Sequence, residues 1–91
     1  MYDLIYSATF RQRFRKLPIE IQERIRSTLA ELKIDPLTRR SGMAIRRLAG
    51  FDPKKWRVRV GDYRIVYQVE GNIIMVIEVF PRGRGYRFEI F

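Results

Sequence analysis

Trp56-Arg57-Val58-Arg59-Val60-Gly61-Asp62-Tyr63-Arg64-Ile65-Val66-Tyr67 alternates apolar and cationic side chains on either side of a Gly-Asp turn. Successive side chains of a strand point to opposite faces, so Trp56, Val58 and Val60 fall on one side and Arg57 and Arg59 on the other. One face enters a core while its reverse carries permanent positive charge. Arg64 follows the turn, and Arg82, Arg84 and Tyr86 follow the next apolar run. The pattern predicts a cationic surface built on a sheet.

Working outward, strands are expected over about 56–60, 63–69 and 73–80, joined at Gly61-Asp62 and Glu70-Gly71-Asn72. Links this short imply an antiparallel meander. Ile73 to Ile77 are apolar at every position, which predicts a central strand covered on both faces. Arg46-Arg47-Leu48 reads as a short strand ahead of the turn-rich 49–53, and 36–45, without periodicity, reads as a loop. After Pro81 the segment 82–87 is too Gly-rich for a regular element.

Upstream, Tyr2 to Tyr6 form a short strand candidate. Ser7 offers an N-cap hydroxyl to a first helix, in which Phe10, Phe14 and Leu17 share a stripe. Pro18 suits the first turn of a second helix, where its missing N–H costs nothing. Ile21, Ile25, Leu29 and Leu32 then mark about four amphipathic turns ending before Asp35-Pro36. The expected fold is α+β: an N-terminal strand, a two-helix hairpin, then an antiparallel three- to four-stranded sheet with helices packed on one face. The 91 residues fit a single domain spanning 1–91.

The chain carries 19 Lys+Arg against 10 Asp+Glu, a net charge of +9, and 15 of the cations are Arg. Arg is favoured over Lys where phosphate or carboxylate is gripped by a planar fork. The bias points to nucleic acid or an acidic protein segment. There is no Cys and no His, which removes disulfides, thiolate sites, a cysteine nucleophile and imidazole base chemistry. No cofactor is expected, and Asp52, Asp62, Glu70 and Glu78 lack metal-ligand spacing. No run is long and apolar enough to span a bilayer, and the first residues lack the features of a signal peptide. A cytoplasmic location without membrane association is expected.

Phosphodiester cleavage is the sharpest chemistry this residue set allows. Arginines converging on one face bind a scissile phosphate and stabilise its transition state, and in RNA the nucleophile is the neighbouring 2′-hydroxyl. A well-placed Arg is worth about 10³ to 10⁵ in related phosphoryl transfers. Tyr86, flanked by Arg84 and Arg87, is the remaining candidate for proton transfer, or else a stacking platform for a base. The plainer reading of Arg57 and Arg59 is as exposed strand residues that discourage edge-to-edge pairing.

The chain resembles the RelE/ParE superfamily of bacterial and archaeal toxin-antitoxin toxins over nearly its whole length. The matching features are Tyr2 to Phe10, Leu17-Pro18 opening the long helix, the Asp35-Pro36 stop, Leu48 with Gly50, the block 56–67, and Arg82 with Tyr86. The resemblance implies a ribosome-dependent, metal-independent endoribonuclease that cleaves messenger RNA in the A site, leaves a 2′,3′-cyclic phosphate and inhibits translation. It implies Arg57, Arg59, Arg64, Arg82 and Tyr86 as catalytic residues. Arg39, Arg40, Arg46, Arg47, Lys54, Lys55, Arg84 and Arg87 are then candidate RNA contacts. The best-known bacterial branch has Lys at the positions of Arg57 and Arg59, so a Lys-dependent proton step does not transfer, whereas phosphate binding does. The implied partners are the ribosome, messenger RNA and a RelB-like antitoxin, the last in a heteromeric complex. The alternatives are a ParE-like gyrase inhibitor without nuclease activity and a non-catalytic RNA-binding module.

Overall fold

The computed structural model of the chain describes residues 1–83. In chain order the elements are β1 (Asp3–Tyr6), α1 (Ala8–Arg15), α2 (Ile19–Ile34), β2 (Ile45–Leu48), β3 (Lys55–Val60), β4 (Tyr63–Glu70) and β5 (Ile73–Pro81). The strands make a five-stranded sheet in the order β1-β5-β4-β3-β2. Strands β2 to β5 form the antiparallel meander that the short links demand. Gly61 and Gly71 take positive φ while the residues after them do not, as a two-residue II′ hairpin turn requires. Glu70 lies within β4, opposite Ile73, so the second link is shorter by one residue than the sequence suggests.

β1 closes the sheet by pairing parallel with β5, Asp3 opposite Ile73 and Tyr6 opposite Val76. The connection between them carries both helices and the strands β2 to β4, far longer than the minimum that a parallel pair needs. β5 is therefore an interior strand, but the middle of the five is β4. Coverage of β5 is uneven, since Ile74, Val76 and Val79 are buried while Ile73 at its start is exposed.

Local chemistry sets the helix ends. Ser7 has extended backbone, and its side-chain oxygen accepts the Phe10 N–H at 3.0 Å; its hydroxyl donates to the Ile77 carbonyl. One residue thus caps α1 and fastens it to β5. Pro18 stands at the N-cap rather than inside the first turn, because its ψ of 149° is extended and its carbonyl accepts the Gln22 N–H. The Gln22 amide also donates to the Phe14 and Leu17 carbonyls at 3.0 Å each. This gives the Leu17 carbonyl a donor where α1 stops and adds a second to the Phe14 carbonyl, which also accepts the Leu17 N–H at 3.1 Å. At the far end of α2, Asp35 accepts the N–H groups of Leu37 and Thr38 at 3.0 and 3.1 Å.

The main core lies between the helices and one sheet face. Phe10 from α1 and Ile25, Leu29 and Leu32 from α2 pack against Ile45, Val58, Val60, Ile65, Tyr67, Ile74, Val76 and Val79. Tyr67 is fully buried, and its hydroxyl donates to the Pro36 carbonyl at 2.6 Å. A smaller cluster, Val66 and Phe80 with Leu48, Phe51 and Ile77 against them, is separate from it. Among the described residues no helix is long and apolar enough to cross a membrane.

Candidate functional site

Strand register decides which cations meet. Directly opposite residues share a sheet face, and Arg57 faces both Arg46 on β2 and Val66 on β4. Arg59 faces Arg64. Arg64 in turn faces Phe80 on β5. Arg46, Arg57, Arg59 and Arg64 therefore share the face turned away from the main core, over a floor made by Val66 and Phe80. This is the arginine side predicted by the alternation of 56–60, with Val58 and Val60 buried on its reverse.

The row is electrostatically strained. Burial, and then the charges of Arg64, Arg46 and Arg59, pull the Arg57 guanidinium below its ordinary range. The Nε atoms of Arg57 and Arg64 are buried and have no hydrogen-bond partner. Like charges held side by side over apolar atoms repel more strongly than they would in water. Such a face is suited to a multiply charged anion, whose charge offsets that repulsion.

The nearby carboxylates do not fill that role. Glu78 pairs with Arg13 of α1 at 3.1 Å, without hydrogen-bond alignment, since the same oxygen lacks a donor. Burial raises its carboxyl, and Arg13 offsets only part of that rise. Asp35 pairs with Arg40 at 3.9 Å. The N–H of Leu37 is the first cause that holds the Asp35 carboxyl low.

The other expected residues divide between the row, the frame and separate surfaces. Arg82 follows β5 closely, and its N–H donates to the Asp62 carbonyl at 2.6 Å. That bond sets its backbone at the β3–β4 turn, the Arg59 and Arg64 end of the row. Lys55 is opposite Leu48 and Gln68, and its ammonium bonds the Gln68 oxygen at 2.7 Å and lies 5.1 Å from the Phe51 ring centre. Arg47 is opposite Trp56, on the sheet side that carries the helices, away from Arg46. Arg40 donates to the Thr38, Asp35 and Glu31 carbonyls and so closes the end of α2. Lys54 and Arg39 are exposed. Arg84, Tyr86 and Arg87 lie outside the described residues.

One cation near this face was not anticipated from the sequence. The Arg24 guanidinium, carried by α2, lies over Gly61, where an added Cβ would sit 2.8 Å from its Nη1. Its neighbourhood depends on how α2 docks on the sheet, and no local motif announces that.

A family model described as the ParE toxin of a type II toxin-antitoxin system, parDE, matches residues 4–86. Similar solved structures include the archaeal RelE-RelB complex of Pyrococcus horikoshii, with 25% identity, 92% of this chain and 98% of that chain covered, and a TM-score of 0.79. The E. coli RelBE toxin-antitoxin complex gives 26% identity over 92% of this chain and 100% of that one, at a TM-score of 0.75. Isolated E. coli RelE shares the fold at 23% identity and a TM-score of 0.76, with 99% and 94% covered. No curated protein sequence matches the chain. The family match over most of the length and the shared strand-helix-helix-meander order lead to one assignment: the chain belongs to the RelE/ParE superfamily of type II toxin-antitoxin toxins.

Proposed function

We propose that the protein is a ribosome-dependent endoribonuclease toxin that cleaves messenger RNA in the A site, held inactive by a RelB-like antitoxin. The observation that carries this reading is the row of Arg57, Arg59 and Arg64 with two buried, unpartnered Nε atoms. In the proposed reaction the 2′-hydroxyl attacks the adjacent phosphorus, the bond to the 5′-oxygen breaks, and a 2′,3′-cyclic phosphate and a 5′-hydroxyl result. Arg57, Arg59 and Arg64 bind and polarise the phosphate, and Arg82 stabilises the developing charge. Tyr86 stacks on a base or takes part in proton transfer. With no His in the chain, cleavage of free RNA is slow, and the ribosome positions the messenger.

The antitoxin is supported by the RelE-RelB complexes among the similar structures. Primer extension on a reconstituted translation reaction tests the reading. New messenger ends at the A-site codon are expected, and intact messenger at high toxin concentration would overturn it.

The family description favours a second reading, a ParE-like poison of DNA gyrase. It requires inhibited supercoiling with messenger left whole, so the same protein preparation assayed for both activities separates the two.

A further inference from the structure

Beside the arginine row, a cleft of about 390 Å³ opens between α2, the 39–44 segment and the end of β3. Arg24, Arg39, Arg40 and Arg59 line it, with Gly61 at its edge. Arg40 is committed to the carbonyls that end α2. Among the described residues Arg24, Arg39 and Arg59 have no ion pair and no side-chain hydrogen bond. Three arginines without side-chain partners therefore line one cleft, and Arg59 belongs to both the cleft and the row.

We propose that this cleft binds a backbone phosphate of single-stranded RNA, next along the strand from the phosphate held on the sheet face. The inference rests on the proposed ribonuclease reading for its ligand, and adds to it a second phosphate site with Arg24 and Arg39 as binding residues. The cleft lacks the aromatic anchors around which protein partners concentrate their binding energy. Its cations are all Arg, suited to the paired oxygens of a phosphodiester. Gly61 has a structural reason to be Gly beyond its φ of 57°, because any Cβ would displace the Arg24 guanidinium.

The test is fluorescence anisotropy with a labelled, 2′-O-methylated single-stranded RNA, which binds without being cut, over a range of salt. The double variant Arg24→Ala/Arg39→Ala should weaken binding about tenfold and make the salt dependence shallower by about 0.7 for each phosphate no longer neutralised. Arg24→Glu should weaken it further. Both side chains are exposed, and an unchanged melting temperature verifies the fold of each variant. Gly61→Ala tests the site without removing charge and should weaken binding with the slope retained. Unchanged affinity and slope in the double variant overturn the proposal, as does loss of antitoxin binding with RNA binding intact. Cleavage is scored separately by primer extension. Inert translation together with Arg24-dependent RNA binding would retain the cleft and discard the nuclease reading.

Discussion

Tyr67 hydrogen-bonds the Pro36 carbonyl across 31 positions of sequence, joining the middle strand of the sheet to the chain just beyond α2. Both residues are fully buried. Tyr67→Phe leaves the acceptor in place without its donor, and should cost about 1 to 3 kcal/mol. Urea denaturation measures this directly; an unchanged midpoint would mean that the bond contributes nothing.

The same phenol should set an alkaline limit. Burial is the main cause that raises its pKa in the folded state, with Arg40 opposing and Asp35 reinforcing. A raised pKa means that the unfolded chain loses this proton first. The contribution is whole below the ordinary tyrosine value of about 10 and is lost as pH rises from there toward the folded value. Stability measured between about pH 9 and 12 should fall more steeply for the native chain than for Tyr67→Phe. Parallel profiles would refute the assignment.

Gln22 fastens the helical hairpin through its side chain alone. Gln22→Ala leaves the Leu17 carbonyl without its side-chain donor and the Phe14 carbonyl with only the Leu17 N–H, and should destabilise the domain by about 1 to 2 kcal/mol. Hydrogen exchange at the end of α1 should rise as well. Gln22→Glu, which keeps the length but brings no donor, should not restore either quantity.

Arg57 should show opposite effects on stability and activity. Its charge is held against three neighbouring arginines, so Arg57→Gln should stabilise the free protein by roughly 0.5 kcal/mol while reducing messenger cleavage about 10²-fold. Added inorganic polyphosphate should raise the melting temperature of the native chain more than that of the variant. Arg82→Ala should give a similar loss of cleavage with little change in melting temperature. A stability loss in Arg57→Gln would remove the electrostatic account of the row.

Elements governed by near neighbours in sequence were legible from the sequence alone. The Ser7 cap, the Ile21 to Leu32 stripe and the 56–67 alternation each depend on local spacing, and the structure has all three. Features set by distant packing were not legible. The parallel placement of β1 needs the sheet edge that β5 provides, and the division of Arg46 from Arg47 needs the β2–β3 register. Composition counts Arg40 and Lys55 as cations, but the surroundings engage Arg40 with helix-end carbonyls and Lys55 with Gln68. Arg24 joins Arg59 only because a helix crosses the end of the sheet.

The seating of the first strand against the last has a consequence for biosynthesis. Residues 3–6 have no sheet partner until 73–76 have been made, a wait of roughly 4 to 14 s at about 5 to 20 residues per second. A nascent chain therefore emerges with its sheet unfinished, and the first strand finds its place only after the last has been made. Until then β5 offers an open edge, and any partner that reaches the chain in that interval meets a sheet still lacking its outermost strand.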